Sequence, residues 1–192
     1  TGYTAVEGSL RSLRILDSGF DYEETPTVTI SGGNGKGANI SVNMKLVDHS
    51  AIFFADVTSN SIGLGTTSTS PASFTIGFST YHKFKNAEQV IYVTNGQEGI
   101  SGLTTNASYY VKTISNTEIS LHPTENDAQL GIATVSLLSY GVGRQSIKSY
   151  NTKSVVDAVN IVSGGSGYSY KKREVGTAGV STALNKIEFV NH

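Results

Sequence analysis

The chain has 192 residues, no cysteine and a formal net charge of -1, with 14 Lys and Arg against 15 Asp and Glu. The absence of cysteine excludes disulfides and thiol chemistry, and the near-neutral charge provides no basic field for a phosphate backbone, so we expect no nucleic-acid partner. No apolar run approaches the roughly 20 residues of a membrane-spanning helix, so we expect no membrane segment. With 21 Gly and only 15% charged residues, the composition predicts a turn-rich β-protein.

Apolar alternation predicts strands in the first quarter of the chain. Residues 13–16 and 25–30 are predicted as strands around a turn, and residues 38–47 alternate with a period of two. The glycine-rich stretch SGGNGKG, residues 31–37, is predicted as a loop. These elements predict a β-meander.

The rest of the chain also predicts mainly short strands. Residues 125–131 form the single short helix expected, because acidic residues open it and Gly131 can end it in a left-handed conformation. Residues 153–163 fit a helix or a strand, and their β-branched side chains favour the strand. The remaining predicted strands are 51–57, 73–80, 89–93, 107–114, 117–122, 133–141 and 185–192. The fold class is therefore all-β, with about a dozen short strands in small tandem domains of meander or sandwich type.

Two kinds of unit, A and B, recur in the same order. Residues 13–16 and 19–22 align with 159–162 and 167–170, and residues 70–82 resemble 181–192. Serial β-units suit a protein that provides length and surface, because each unit buries its face on a neighbour. The predicted divisions are unit A at 1–48, unit B at 49–150, a second copy of A at 151–180 that packs with the first, and the first strand of a further, truncated B at 181–192.

The repeated turns supply the candidate site residues. In both copies the glycine and the aromatic residue are kept, while acidic residues of the first copy are exchanged for Ser and Lys in the second. Glycine permits the positive φ of a tight turn, so a structural role is predicted for these positions. The residues are Gly19, Phe20, Tyr22, Gly164, Gly165, Gly167, Tyr168 and Tyr170.

The glycine-rich stretches resemble repeats of tailed-phage virion proteins. The motifs are GGSGY at residues 164–168 and TPTVTISGGNGKGA at residues 25–38. Unit B, with HKFKNAEQVIY at 82–92 and GLTTNASYYV at 102–111, resembles a module of tail and baseplate proteins, although Ala87 stands where we expect Gly. Together they are most similar to structural proteins of contractile-tailed phages that infect marine cyanobacteria. The resemblance implies a virion, tail or baseplate role, but no catalytic residue.

Phosphate and calcium sites are disfavoured by spacing. In SGGNGKG, Lys36 is followed by Gly37 and then by a strand, so a phosphate-binding loop before a helix is not formed. Asp17, Asp21 and the acidic pair at 23–24 crowd one turn, as oxygen ligands of calcium do. The calcium-loop spacing is missing, and the second copy does not keep these acids. A structural turn is the favoured interpretation.

Zinc and nucleophile chemistry also lack a pattern. The four histidines, at 49, 82, 122 and 192, are dispersed, and the recurrence of His82 as His192 favours a turn or core hydrogen bond. Ser166 lies in Gly-Ser-Gly-Tyr, so the nucleophile elbow is absent. A polysaccharide hydrolase needs two paired carboxylates. Glu98 and Asp127 are candidates that nothing pairs, so we expect neither an enzyme nor a cofactor nor a bound metal.

Carbohydrate recognition is the main alternative function. Ten tyrosines could provide platforms for sugar rings, although Tyr109 and Tyr110 point to opposite sides of one strand. The basic cluster at residues 171–173 is interpreted as a solvated turn, with an acidic neighbouring subunit as the weaker alternative.

We therefore expect a non-enzymatic structural module of a virion, assembled in the host cytoplasm. Its expected partners are other virion subunits, including copies of itself in a homo-oligomer. The alternative is a receptor-binding or adhesin-type module that binds a surface glycan through Tyr and Asn.

Overall fold

The computed structural model describes residues 5–30, 34–58, 61–65, 74–171 and 187–190, with side chains for all of these except 5–7, 169–171 and 187–190. The chain is all-β, as its composition and alternation predict, and carries one short helix in the described residues. It divides into two compact units. Unit 1 comprises Thr1–Val47 and Lys153–His192, and unit 2 is the continuous segment Asp48–Thr152 inserted between them.

Unit 1 consists of antiparallel strand pairs. The longest pair joins one strand from each predicted copy of unit A, and its register shifts twice, between Val156 and Ala158 and between Ile161 and Ser163. The strands are β1 (Ala5–Gly8), β2 (Thr27–Ile30), β3 (Lys36–Val47), β11 (Lys153–Ser166), β12 (Tyr168–Lys171) and β13 (Ile187–Val190). The pairs are β1 with β12, β3 with β11 and β2 with β13.

Unit 2 is one antiparallel sheet of seven strands with a short helix. Its strands are β4 (Ser50–Ala55), β5 (Ile62–Gly63), β6 (Thr75–Gly77), β7 (Gln89–Val93), β8 (Ser108–Ser115), β9 (Glu118–His122) and β10 (Gly143–Ser149), and its helix is α1 (Glu125–Leu130). The order in the sheet is β4-β10-β7-β8-β9-β6-β5, so the last strand along this segment, β10, inserts between β4 and β7. Strand β4 therefore lies at one edge.

The hydrophobic core cluster belongs to unit 2. Alternate residues of the strands point inward, as in β7, where Val90 and Tyr92 are buried between half-buried neighbours. Aromatic side chains fill the space between strands, and Phe53 meets Phe78 edge to face at 5.8 Å. The cluster comprises Phe53, Ala55, Ile62, Ile76, Phe78, Phe84, Val90, Tyr92, Ile100, Val111, Ile119, Leu121, Leu137 and Ile147.

The predicted helix is confirmed. The side-chain oxygen of Thr124 accepts a hydrogen bond from the Asp127 N–H at 3.1 Å, which caps the helix, and Gly131 ends it with a φ of 69°. The strand preferred for residues 153–163 is also confirmed, as part of β11.

Two predicted strands are wrong. Residues 13–16 and 133–141 are irregular in the structure. Leu16 is 87% exposed, and in the second segment Leu137 is buried in the core although its neighbour Leu138 is 70% exposed. The second segment also carries positive φ at Ala133 and Gly141, which interrupts an extended conformation.

The final predicted segment, 181–192, is described only at Ile187–Val190. This stretch forms β13 and pairs with Thr27–Ile30 in unit 1. The alignment relates it instead to residues of β6 in unit 2. The interpretation of 181–192 as the first strand of a further B unit stays a prediction.

Candidate functional site

The turn of the first repeat is held against strand β11. The Gly19 N–H donates to Asp17 Oδ1 at 2.9 Å, and φ at Gly19 is 63°. A Cβ at Gly19 would overlap the ring of Tyr22 unless that ring moved, and the positive φ also favours glycine. The main chain then joins the turn to the strand, because Ser18 O accepts from the Val156 N–H at 3.0 Å and the Tyr22 N–H donates to Ser154 O at 3.2 Å. Phe20 is half-buried in this turn.

The glycines in the second copy of the turn, at residues 164–168, let backbone segments lie close together. Gly164 O accepts from the Leu10 N–H at 2.9 Å, and a Cβ at Gly165 would overlap Lys36 O. Gly167, whose φ is 73°, links β11 to β12. Tyr168 is buried, and its ring occupies the space that a Cβ at Gly35 would enter. The described contacts of these residues are therefore packing contacts. Tyr170 is described only by its backbone, which pairs with Val6.

The acidic turn contains an ion pair rather than an open set of oxygen ligands. Lys153 Nζ lies 3.2 Å from Asp21 Oδ2, with the side chains 8% and 20% exposed. Asp21 has a φ of 57°, a conformation that Asp tolerates better than most residues. The acidic pair at residues 23–24 is exposed. No group of three His, Asp or Glu side chains that could hold a metal ion occurs among the described residues.

Two buried histidines form hydrogen bonds to the main chain and to a serine. His82 Nδ1 accepts from the Phe84 N–H at 3.0 Å, so its proton is on Nε2, which donates to Ser115 O at 2.8 Å. His122 has the opposite tautomer, because Nδ1 lies 2.6 Å from Ile132 O and Nε2 lies 3.0 Å from Ser120 Oγ. Both rings therefore use both nitrogens in the fold. His192 lies outside the described residues.

A buried polar network at the centre of unit 2 is not predicted by the sequence analysis. Tyr92 Oη donates to Gln145 Oε1 and accepts from the Ile100 N–H at 2.8 Å. Gln145 Nε2 donates to Glu98 O at 2.7 Å and to Val142 O at 3.1 Å. The alternation of β7 indicates that Tyr92 points inward, but it does not identify Gln145, which lies 53 residues away, as the partner of the Tyr92 hydroxyl.

Burial raises the pKa of the Tyr92 hydroxyl, and the nearby Tyr109 raises it further. The backbone hydrogen bond from Ile100 acts in the opposite direction but is weaker than the effect of burial. Each buried side-chain nitrogen and oxygen in the described part of the chain has a partner. The network is therefore closed and leaves no buried polar group aimed at a ligand.

The other candidates from the sequence are not brought together. Asp127 lies in the first turn of α1, where its carboxylate accepts from the hydroxyl of the capping residue Thr124, whereas the carbonyl of Glu98 belongs to the Gln145 network, and no described contact pairs the two carboxylates. Tyr109 and Tyr110 are half-buried, and Tyr109 Oη accepts from the Thr104 N–H at 2.8 Å. Lys36 begins strand β3, while residues 31–33 and 172–173 lie outside the described residues.

In the described part of unit 2, exposed apolar side chains lie on and beside the edge strand β4. Ile52, Phe54 and Tyr81 are 38%, 61% and 58% exposed, and we call these three residues the edge patch. They line one groove, in which β4 forms one wall and residues 79–81 form the other. Exposed apolar side chains that share a groove indicate a contact surface rather than chance exposure.

No protein-family model, no curated protein and no solved structure matches this chain. Among its described helices, none has the length and apolar character needed to cross a membrane.

Proposed function

We propose that this chain is a non-enzymatic structural module of a phage virion, in the tail or baseplate, which contributes β-sheet scaffold and contacts between subunits. Three observations support the proposal. The sequence motifs resemble those of tail and baseplate proteins, the units recur along the chain, and the described polar side chains of the interior hydrogen bond to one another or to the main chain.

The edge patch is the observation that carries the proposal. Strand β4, with the sequence SAIFFA, contains no charged residue and no proline. Proteins usually protect an edge strand with charges, prolines or bulges, because an exposed edge pairs readily with another chain. Among the described residues, β4 carries neither a charge nor a proline, and Ile52 and Phe54 are exposed, which is typical of a strand that pairs in an assembly.

The occupant proposed for this edge is strand β4 of a second copy. Antiparallel pairing of two identical strands about a twofold axis continues the seven-stranded sheet and buries the same surface on both copies. Neither strand brings a charge to the contact, and the net charge of -1 per chain causes little repulsion.

Light scattering after size-exclusion chromatography tests this contact. We expect the unmodified chain to self-associate and Phe54→Lys to raise the dissociation constant at least about tenfold, since a lysine would be desolvated at the contact. Leu130→Lys is the matched control, because Leu130 is 64% exposed at the end of α1, far along the chain from β4. A monomeric unmodified chain, or equal effects of both substitutions, would contradict the proposed contact.

The genes that flank the coding region test the virion assignment separately. We expect genes for other tail or baseplate proteins. Flanking genes for metabolic enzymes, together with absence of the protein from purified particles, would contradict the assignment. The second candidate function, a carbohydrate-binding or receptor-binding module, is favoured by a polar surface of unit 2 that is centred on strand β10 and adjoins the edge patch.

A further inference from the structure

A polar trough crosses the outer face of the sheet of unit 2. Its floor is Ser146 of β10, which is buried and has a small side chain. Arg144 and Lys148 of the same strand are exposed on either side of it. The side walls come from Ser50 and Ile52 of β4 and from Asn95 and Gln97, which follow β7. The trough therefore has a small central floor between two long cationic side chains.

The strand register orders the trough into three rungs. Arg144 stands opposite Phe54, Ser146 opposite Ile52, and Lys148 opposite Ser50. Residues that stand opposite one another in an antiparallel pair project from the same face of the sheet. With a rise of about 3.3 Å per residue, the Cα atoms of the two cations are about 13 Å apart.

The charge of the trough is uniformly positive. Its described lining residues include Arg144 and Lys148 but no carboxylate. Neither cation forms an ion pair with a described residue, and both are exposed. Between the two cations, Asn95 Nδ2 donates to Ser146 Oγ at 3.3 Å and to Arg144 O at 3.4 Å. These hydrogen bonds hold the Asn95 amide at the edge of the trough. The surface thus offers two cations separated by neutral hydrogen-bonding groups.

From this geometry we propose that the trough binds an acidic polysaccharide, with anionic groups at Arg144 and Lys148 and hydroxyl groups at the amides and serines between them. A ligand that carries anionic groups at intervals along its length suits two cations whose Cα atoms are about 13 Å apart. Nucleic acid is a poor fit, because two cations on a chain of net charge -1 do not neutralise a phosphate backbone.

An acidic peptide is also a poorer fit than a saccharide. An extended peptide binds best by adding its main chain to a sheet edge. The trough instead lies over β10, an interior strand between β4 and β7, whose main chain is already paired. A ligand here is recognised by side chains alone, which favours a ligand rich in hydroxyl groups.

An aromatic side chain completes the recognition at one end. Phe54 stands opposite Arg144 in the strand register and is 61% exposed, and both residues line the adjoining groove of the edge patch. Aromatic rings stack on the apolar faces of sugar rings, while charged and amide groups bind their substituents. The rung of Arg144 and Phe54 therefore suits an acidic sugar unit.

Binding of polygalacturonate to the full chain, measured by titration calorimetry, tests this inference. We expect saturable binding that weakens as salt is raised, and no binding of neutral dextran. Arg144→Gln with Lys148→Gln should weaken binding by about tenfold or more, because charge-assisted hydrogen bonds are lost. Ser50→Asp, which places a carboxylate opposite Lys148, should weaken it as well.

Lys36→Gln with Lys45→Gln is the matched control, because it removes two exposed cations from unit 1 and should leave the affinity unchanged. Failure of the unmodified chain to bind polygalacturonate, or equal losses in both double variants, would overturn the inference. Equal or tighter binding of polyglutamate would overturn the saccharide class in favour of an acidic polypeptide. Self-association of Arg144→Gln with Lys148→Gln reports on the β4 edge separately, since these two residues lie outside that strand, whereas Ser50→Asp changes β4 itself.

Discussion

The hydroxyl of Tyr92 joins three parts of unit 2 that are distant in sequence. It contacts Gln145 of β10 and the main chain of Ile100, and Gln145 in turn holds the carbonyls of Glu98 and Val142. In a buried site, the removal of one partner leaves the others without hydrogen bonds, which costs more than the bond itself contributes.

We therefore expect Tyr92→Phe to lower the free energy of unfolding by about 1–3 kcal/mol for each of the two polar groups that lose their partner, Gln145 Oε1 and the Ile100 N–H. Urea unfolding at neutral pH measures this change. Tyr109→Phe is the control, because its half-buried hydroxyl accepts one bond from an exposed turn. Equal losses of unfolding free energy in the two variants would show that the buried network stabilises the fold no more than the exposed hydrogen bond of Tyr109.

Ionisation of Tyr92 should make the stability of the protein depend on pH in the alkaline range. Burial raises the pKa of Tyr92 in the folded state above its ordinary value of 10.0, so the unfolded chain loses this proton at a lower pH than the folded chain. The contribution to stability is therefore complete below about pH 10 and is lost as the pH rises through the folded pKa. As the pH rises above about 10, the stability of Tyr92→Phe should therefore fall less steeply than that of the unmodified chain.

At the scale of elements, strand β11 shows how glycine allows close packing in unit 1. Gly165 has a φ of 61°, and its position against Lys36 O leaves no room for a Cβ. Gly37 has a similar φ of 77°, but the nearest atom to a Cβ there is 4.0 Å away. Alanine at Gly37 would therefore bear only the cost of the left-handed backbone, whereas alanine at Gly165 would bear that cost and a steric overlap as well.

Gly165→Ala should destabilise the protein more than Gly37→Ala. Both variants bear a cost of about 1–2 kcal/mol for a left-handed alanine. Only Gly165→Ala adds an overlap with the main chain of β3, which we expect to cost about another 1–3 kcal/mol. Denaturant unfolding of the two variants measures the difference, and equal destabilisation would contradict the packing described for this turn.

The elements with strong local signals could be predicted from the sequence. Alternation correctly indicated β3 and β8, and helix α1 was marked by the residues that begin and end it. The predicted strand at residues 13–16 failed because four apolar-rich residues do not specify a partner, and Leu16 is exposed in the structure. Local pattern gives the conformation of a segment only where tertiary packing agrees with it.

The two surfaces of unit 2 could not be predicted. Residues 51–57 form a compact apolar run that is typical of a buried strand, yet Ile52 and Phe54 face outward, because successive side chains of β4 alternate between the two faces of the sheet and Phe53 and Ala55 take the core face. The trough depends on the insertion of β10 between β4 and β7, which brings together residues nearly 100 positions apart. Such pairing is set by non-local packing and leaves no periodic signal.

At the scale of the whole molecule, unit 2 has the properties of an independent domain. Its core cluster lies entirely between Phe53 and Ile147. The ends of the segment are adjacent, because the Ser149 N–H donates to His49 O at 3.0 Å. A segment with its own core and neighbouring termini is suited to insertion into another unit.

We therefore expect the excised segment Asp48–Thr152 to fold alone. Circular dichroism should show a β-type spectrum and one cooperative thermal transition. Tyr92→Phe should lower the transition temperature of the excised segment as well as that of the full chain. This result would show that the transition of the segment is the unfolding of its native core. A spectrum of disordered chain would contradict the division into two units.

Pairing of strand β4 between two copies is the contact proposed for unit 2. Hydrogen exchange of the β4 amides, measured at low and high protein concentration, tests this claim most directly, because pairing of edge strands protects their main-chain N–H groups. We predict slower exchange in β4 at high concentration, with exchange in α1 unchanged, and loss of this difference in Phe54→Lys. Exchange in β4 that is the same at both concentrations would contradict the pairing of β4 between copies.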